Sequence, residues 1–223
     1  MRDEQRARGA DGFTQSVSPF YFWQFMISSI KKAILFDFFG VFCPDIGWAW
    51  LEEHIRDMEF EREYLKKLFQ MLDSGEIRRD TFFAILGKRF SMPGKRILVE
   101  MNQRAVLDKS LIAIVQKIKR NYRTGLLSNA NAGWLDVILH KHQLHRYFDK
   151  ITVSSKIGYT KPHPSAFAHA LSALGVNAQE VIFVDDRKSN IDAARQCGLT
   201  GIIYRDAKQL ERELYTQGIL SDE

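Results

Sequence analysis

Reactive side chains occur at four places in the chain, and each place follows a short apolar run. They are Asp37 after "AILF", Ser128 and Asn129 after "TGLL", Lys161 in "GYTKPHP" beyond "ITVSS", and Asp185 and Asp186 after "VIFV". Asp37 is either a catalytic nucleophile or a carboxylate that only ends a strand. The other stretches also have structural alternatives, because strand-end Asp residues often cap helices, Ser-Asn pairs often form turns and single lysines are usually solvated.

Strands and helices alternate through the second half of the chain and would bring these stretches together. Short apolar runs at residues 123–129, 150–155, 180–186 and 200–204 predict strands, and the amphipathic segments between them predict helices. This alternation predicts an α/β fold with a Rossmann-like, doubly wound parallel sheet. The carboxyl ends of parallel strands meet at one edge of a sheet, so residues far apart in sequence are expected to share one site.

A helical segment at residues 46–106 interrupts this alternation directly after the first strand. Its apolar residues recur at three- and four-residue spacing, and breaks at "DSGE" and "SMPG" divide it into about four helices. We therefore predict a helical domain, 46–106, inserted into a core domain of residues 31–45 and 107–223. The insertion is expected to lie over the carboxyl ends of the strands, where such sheets bind ligands.

The composition indicates a globular protein. Of the 223 residues, 45% are hydrophobic and 26% charged, which excludes fibrous and disordered classes. The net charge of +5 is dispersed, which favours a solvated surface over a nucleic-acid-binding patch. The two cysteines, Cys43 and Cys197, lack metal-ligand spacing and fit a reducing compartment, so we expect a cytoplasmic protein with both thiols in the core.

The N-terminal residues differ from the rest of the chain. The aromatic run Phe20–Trp23 is too short and too interrupted to span a bilayer, and no small-residue cleavage pattern precedes the first strand. We expect residues 1–30 to be a poorly ordered extension and the protein to bind no membrane. Met26 begins "MISSIKKAILFD", so we interpret the earlier residues as an upstream addition; a native start at Met1 would contradict this interpretation.

The four stretches, in this order and spacing, resemble the motifs of the haloacid dehalogenase-like (HAD) hydrolase superfamily. "ILFDFFGVF" resembles its first motif, "LLSNA" its second, "GYTKPHPSAF" its third and "VIFVDDRKSNIDAARQCG" its fourth, so the resemblance runs from about residue 31 to the C-terminus. The insertion resembles the small helical cap domain of this family. Within it, "DSGEIRRDTFFAIL" is similar to the cap of a sugar-phosphate phosphatase branch that includes glucose-1-phosphate phosphatases and the N-terminal domains of epoxide hydrolases.

This resemblance implies a phosphate site. Asp37 would attack phosphorus and form an aspartyl-phosphate, as a carboxylate near a metal can. Ser128 would donate a hydrogen bond to a phosphoryl oxygen, with the adjacent backbone amides, including that of Asn129, assisting. Lys161 would be a fixed positive charge that offsets the repulsion between Asp37 and the phosphate.

The resemblance also implies a Mg²⁺ site. This hard cation takes oxygen ligands, which here would be the Asp37 carboxylate, the backbone carbonyl of Phe39 and the Asp185 carboxylate. Asp186 would help to position the metal or its waters. Asn190 would orient Lys161 or Asp186, or would have only a structural role at the start of a helix.

Phe39 departs from the family pattern. Most phosphatases of the superfamily have a second Asp two residues after the nucleophile, which protonates the leaving oxygen and later activates water. Such proton transfer is worth roughly 10² to 10⁴ in rate. A phenyl ring cannot perform it, so the expected substrate is one whose leaving oxygen is already fairly acidic, such as an anomeric 1-phosphate.

Three functions follow from these observations. The first is a Mg²⁺-dependent phosphatase of a small phosphorylated metabolite such as a sugar phosphate, acting as a monomer or homodimer. The second is a HAD-fold binding or regulatory module with little or no activity, because of Phe39. The third, 2-haloacid dehalogenation, is disfavoured because those enzymes use no metal and replace the acidic pair that Asp185 and Asp186 retain.

Two further groups of residues are assigned packing and capping roles. Trp48, Trp50 and His54 are near the expected site, but aromatic residues at helical spacing more often pack in a core. His163 stands where the family commonly has Asp, and we expect it to cap the helix that Pro164 begins.

Overall fold

A computed structural model describes residues 30–221 of the chain, apart from the side chain of Met58. Residues 31–221 belong to one compact unit. Residues 1–29 of the predicted N-terminal extension lie outside the described residues. The expected disorder of the extension therefore stays a prediction.

A parallel sheet of five strands forms the centre of this unit, in the order β3-β2-β1-β4-β5. This confirms the predicted α/β fold with a Rossmann-like sheet. The strands are short and mostly apolar at their buried positions, and every neighbouring pair is parallel. They comprise β1 (Ala33–Phe36), β2 (Arg123–Ser128), β3 (Lys150–Val153), β4 (Val181–Asp185) and β5 (Thr200–Ile203).

Four helices follow β1, in the segment where the sequence predicts about four. Asp45 caps the first by accepting a hydrogen bond from the Trp48 amide at 3.3 Å, and Asp57 caps the second in the same way. The division of the chain into cap and core domains stays a prediction. The helices are α1 (Ile46–His54), α2 (Met58–Ser74), α3 (Arg79–Arg89) and α4 (Gly94–Gln103).

The remaining helices cover both faces of the sheet. One face packs against α5, α6 and α10, and the other against α8 and α9. A single-turn helix, α7, follows β3 directly. None of the helices within residues 30–221 is long and apolar enough to cross a membrane. Their bounds are α5 (Lys109–Ile118), α6 (Ala132–Lys141), α7 (Ser154–Ile157), α8 (Pro164–Leu174), α9 (Lys188–Gln196) and α10 (Ala207–Thr216).

The central strand β1 is buried on both sides. Ala33 and Leu35 pack in one apolar cluster, and Ile34 and Phe36 in the other, as the two-residue period of a strand requires. Apolar residues of α1–α4 join the second of these clusters. The inserted helices therefore share one continuous apolar cluster with α5, α6 and α10.

Candidate active site

The carboxyl edge of the sheet carries the reactive side chains that the sequence predicted would meet. β1 ends one residue before Asp37, β2 ends at Ser128 and β4 ends at Asp185. The Asp37 amide donates to the Val184 carbonyl at 2.9 Å, which continues the pairing of β1 with β4 by one residue. These three side chains therefore lie on neighbouring strands at one edge.

Lys161 links two of these carboxylates. Its buried Nζ lies 2.8 Å from Asp37 Oδ1 and 2.7 Å from Asp185 Oδ2. Burial acts to lower the pKa of Lys161, but the two carboxylates outweigh it and raise that pKa, so the side chain stays protonated. The structure thus brings together Asp37, Asp185 and the lysine that lies after β3 in the sequence.

Asp185 is the most constrained carboxylate of the site. Besides Lys161, it accepts hydrogen bonds from the Arg187 amide at 2.8 Å and from Asn190 Nδ2, which lies 3.0 Å from both of its oxygens. Asn190 therefore holds Asp185, rather than Lys161 or Asp186 as expected. The reason is that α9 begins only three residues after β4, which directs its first turn back onto the strand end.

Asn129 has a positioning role that the sequence did not indicate. Its Oδ1 accepts the Lys161 amide at 2.7 Å, and its Nδ2 donates to the Lys161 carbonyl at 2.8 Å. Because both ends of the amide group are used, the side chain fixes the backbone of Lys161. Only the backbone of Asn129 is left for the phosphate contact that the sequence predicts.

Ser128 presents a hydroxyl group that lacks a partner among the described residues. The residue is fully buried, and its Oγ makes no hydrogen bond within them. An unsatisfied buried hydroxyl costs about 1–3 kcal/mol. Such an atom at the strand edge suits a ligand that brings its own hydrogen-bond acceptor, such as a phosphoryl oxygen.

Three carboxylates of the site are close enough to hold a cation. Asp37, Asp185 and Asp186 each offer an oxygen within 4.8 Å of the other two. Burial raises the pKa of Asp37 to about 8, although Lys161 acts to lower it, and burial also raises the pKa of Asp186. Clustered carboxylates with raised pKa values fit a hard divalent cation, whose charge would stabilise their ionised forms.

Gly40 makes room for Asp186 at this cluster. A Cβ atom at Gly40 would lie 2.4 Å from the Asp186 carboxylate, and Gly40 has a φ of +87°, which favours glycine. The turn after β1 can therefore pass directly beside the acidic group. The predicted metal contact of the Phe39 carbonyl, one residue earlier, stays a prediction.

The Phe39 ring, which cannot donate a proton, faces a cavity. Its centroid lies 5.0 Å from that of Phe38 and 6.5 Å from that of Trp134. The cavity has a volume of about 290 Å³ and is lined by Asp37 and Lys161 from the strand edge and by residues of α1 and α2. A small molecule bound there would contact both the strand edge and the inserted helices.

Several polar residues of this cavity were missed by the sequence analysis. Asp73 and Gln70 line it from α2, and Arg187, which binds Asp45 at 3.0 Å, lines it from the loop after β4. The helical pattern of α2 gave no signal for them, because polar residues on a helix are usually solvated.

The aromatic residues near the site divide into two roles. Trp50 is fully buried and stacks on His54 at 3.9 Å, which confirms packing for both. Trp48 also packs against the core, where it stacks on Phe69, and in addition it lines the cavity. His163 Nδ1 accepts the Ser165 amide at 3.1 Å, which confirms the predicted helix cap.

A model of the haloacid dehalogenase-like hydrolase family matches residues 31–198. The chain belongs to this family. The match contains every residue of the site described above, from Asp37 to Asn190. The membership predicted from the four motifs is therefore confirmed.

This HAD hydrolase has curated relatives of different lengths. It is 27% identical over 185 residues to the D-ribitol-5-phosphate phosphatase of Bacteroides thetaiotaomicron, covering 75% of the chain and 88% of that protein. It is 28% identical over 164 residues to a drimenol cyclase of Aspergillus calidoustus, covering 67% of the chain but only 31% of the cyclase. The second match thus concerns one part of a longer protein.

A solved structure shares the fold of this HAD hydrolase. A HAD family enzyme of Bacteroides thetaiotaomicron, in complex with magnesium and inorganic phosphate, superposes with a TM-score of 0.68 at 21% sequence identity. The match covers 81% of this chain and 98% of that one. At this level of identity the likeness concerns the fold.

Proposed function

We propose that this HAD hydrolase is a Mg²⁺-dependent phosphatase of a small phosphorylated metabolite, of the sugar-phosphate class. The observation that carries the proposal is the buried Lys161 ammonium between Asp37 and Asp185, at the base of a cavity of about 290 Å³. A buried cation beside a potential nucleophile offsets the repulsion that a phosphate dianion would meet there.

In this mechanism the chain's own residues bind and split the phosphate ester. The Asp37 carboxylate attacks phosphorus, the bond to the leaving oxygen breaks, and an aspartyl-phosphate forms. Ser128 donates its free hydroxyl to a phosphoryl oxygen, and Lys161 neutralises charge beside Asp37. When bound by Asp37, Asp185 and Asp186, Mg²⁺ supplies further positive charge to the phosphoryl group.

The cavity supports a polar organic substrate of modest size. Gln70, Asp45 and Asp73 offer hydrogen-bonding groups, and Trp48 and Trp134 offer apolar faces. Hydroxyl groups and the C–H faces of a sugar or polyol match this combination. A relative that acts on D-ribitol 5-phosphate, as its name states, supports the same class of substrate.

Hydrolysis of 4-nitrophenyl phosphate tests this proposal, because its leaving group needs little protonation. The purified full chain should release nitrophenolate in the presence of Mg²⁺, lose that activity with a chelator and regain it when Mg²⁺ is restored. Asp37→Asn should remove the activity without unfolding the protein. Activity that persists at full rate in Asp37→Asn would contradict the proposal.

A binding or regulatory module is the second candidate, and Phe39 is the observation that favours it. Such a module would bind phosphate and Mg²⁺ but would neither release nitrophenolate nor form an aspartyl-phosphate. A panel of phosphorylated sugars and polyols separates the two functions, since the phosphatase turns over at least one of them. 2-Haloacid dehalogenation ranks below both, because the site retains Asp185 and Asp186.

A further inference from the structure

Asp73 is the carboxylic acid that α2 contributes to the cavity. The residue lies next to the last position of α2 and lines the cavity together with Asp37 and Lys161. Asp37 belongs to the strand edge and Asp73 to the inserted helices. A ligand that fills the cavity would therefore lie between Asp37 on the strand edge and Asp73 on the inserted helices.

The backbone of Asp73 is held against the loop that follows Ser128. Its carbonyl accepts a hydrogen bond from Ser154 Oγ at 2.5 Å, and the same Oγ accepts the Ala130 amide at 2.9 Å. One buried hydroxyl group thus joins α2 to the loop after β2. This contact fixes the position of Asp73 relative to the phosphate site.

The turn after α2 adds a second constraint. Gly75 ends the helix with a φ of +84°, and a Cβ atom there would lie 2.7 Å from the Ser155 carbonyl. Only glycine allows this close approach of α2 to α7. The end of α2 is therefore a fixed part of the cavity wall.

The carboxyl group of Asp73 is available for proton transfer. No residue among those described donates a hydrogen bond to it. Burial, reinforced by the nearby Asp45, raises its pKa to about 8, while Arg187 and Lys161 act to lower it. The negative end of the α2 dipole also favours the neutral form. A raised pKa favours the protonated form of Asp73, which is the form that a general acid needs.

We propose that Asp73 is the proton-transfer group of this site and takes the role that Phe39 cannot fill. This inference rests on the proposed phosphatase function. The nucleophile and the leaving oxygen lie on opposite sides of phosphorus in a displacement reaction. With Asp37 on the strand-edge wall, the leaving oxygen points towards the inserted helices, where Asp73 lies.

Asp73 gives up one proton in the first step of the reaction and regains one in the second. In the first, Asp37 forms a bond to phosphorus, the bond to the leaving oxygen breaks, and Asp73 gives its proton to that oxygen, which releases an alcohol. In the second, ionised Asp73 takes a proton from water as the water attacks phosphorus. The bond to Asp37 breaks, phosphate leaves, and Asp73 is protonated again.

This assignment widens the expected range of substrates. Because Phe39 cannot donate a proton, the sequence predicted a substrate with an acidic leaving group, such as an anomeric 1-phosphate. A proton donor at Asp73 removes this restriction, because it protonates ordinary alkoxide leaving groups. Phosphate esters of primary alcohols, such as polyol phosphates, then become substrates.

Asp73→Asn tests the inference, because it keeps the shape of the side chain and removes its proton. With an alkyl ester such as ribitol 5-phosphate, we expect aspartyl-phosphate formation to slow by about 10² or more. With 4-nitrophenyl phosphate the first step should stay fast and the second should slow. The variant should therefore release a burst of nitrophenolate and accumulate phosphorylated Asp37.

Asp80→Asn is the matched control. Asp80 is exposed in the first turn of α3 and lies outside the cavity lining, so this variant should behave like wild type with both substrates. The inference is overturned if Asp73→Asn has the same kinetics as Asp80→Asn, or if it hydrolyses both substrates more slowly by the same factor and without a burst. Either result leaves the proposed function standing. A wild-type protein that neither hydrolyses 4-nitrophenyl phosphate nor forms an aspartyl-phosphate overturns both.

Discussion

Lys161 shows how single residues define this site. A buried ammonium group is costly unless it is paired, and here it contacts two carboxylates at 2.7 and 2.8 Å. Asn129 holds its backbone and Asn190 holds Asp185, so the ion pairs are fixed from both sides. The arrangement is strongly preorganised, which is what electrostatic stabilisation of a transferring phosphoryl group requires.

Ser128 gives a prediction at the residue scale, in which stability and activity change in opposite directions. Its buried hydroxyl lacks a partner among the described residues, so Ser128→Ala should raise the free energy of unfolding by about 1 kcal/mol. The same change removes a hydrogen bond to a charged phosphoryl oxygen and should lower kcat/KM about tenfold to a hundredfold. Denaturant unfolding and steady-state kinetics measure the two effects.

Ser154 is the contrast for this prediction. It is equally buried, but its Oγ bonds the Asp73 carbonyl and the Ala130 amide. Ser154→Ala should therefore lower the free energy of unfolding by about 1–3 kcal/mol, since it leaves both groups without that partner. A loss of stability in Ser128→Ala equal to that in Ser154→Ala would show that the Ser128 hydroxyl is satisfied within the protein.

The residue roles were only partly predictable from sequence. Asp37, Ser128, Lys161 and Asp185 could be expected to meet, because each follows a strand and strand ends share an edge. The partners of Asn129 could not be predicted, because a side chain that bonds a distant backbone leaves no pattern in the chain. Such contacts depend on the loop path after each strand rather than on residue type.

At the scale of elements, the turn after β1 sets the geometry of the acidic cluster. Gly40→Ala would place a Cβ atom 2.4 Å from the Asp186 carboxylate. We expect it to displace that carboxylate and to weaken Mg²⁺ binding severalfold or more. Mg²⁺ titration by calorimetry, together with the Mg²⁺ dependence of nitrophenolate release, measures this change.

Gly158→Ala is the matched control for that variant. Gly158 has a φ of +75°, but a Cβ atom there would meet nothing within 4 Å. Both substitutions incur the cost of a left-handed conformation, about 1–2 kcal/mol in stability. Only Gly40→Ala should also lower Mg²⁺ affinity; equal Mg²⁺ affinity in the two variants would exclude Asp186 from the metal site.

The helix α2 supports a prediction about the pH dependence of stability. The Asp73 carboxyl has a model-peptide pKa of 3.8, and burial raises it to about 8 in the folded protein. Between these values the unfolded chain has lost a proton that the folded chain retains, so rising pH destabilises the fold. Asp73→Asn should therefore be more stable than wild type at pH 8, and this advantage should shrink as the pH falls to about 4.

Thermal unfolding of wild type and Asp73→Asn across this pH range measures the effect. A gain of about 1 kcal/mol would raise Tm by roughly 2–4 °C for a chain of this size. Asp80→Asn, whose carboxyl is exposed on α3, provides the baseline. An advantage of Asp73→Asn that stays constant with pH would contradict a raised pKa at this position.

At the scale of the whole molecule, the sequence predicted the sheet better than the cavity. The apolar runs and their spacing indicated five parallel strands, and two-sided burial explains why β1 and most of β4 are continuous apolar runs. The helical period also indicated the insertion after β1. These features depend on local patterns, which a single sequence displays.

The cavity lining could not be predicted in the same way. Asp73 belongs to α2 and meets the strand edge only because Ser154 and Gly75 dock the end of that helix on the core. The Ser154–Asp73 contact joins residues about eighty positions apart, and no local sequence pattern predicts it. The helical pattern of α2 therefore does not mark Asp73 as a site residue, although the fold places it at the cavity.

Trapping of phosphorylated Asp37 is the most direct test of its role as the nucleophile. The full chain, mixed with 4-nitrophenyl phosphate and Mg²⁺ and quenched in acid during turnover, is digested and its peptides are analysed by mass spectrometry. We expect a phosphoryl group on the peptide that contains Asp37, absent in Asp37→Asn and more abundant in Asp73→Asn. Nitrophenolate release by wild type with no phosphoryl group on Asp37, in either wild type or Asp73→Asn, would contradict this role of Asp37.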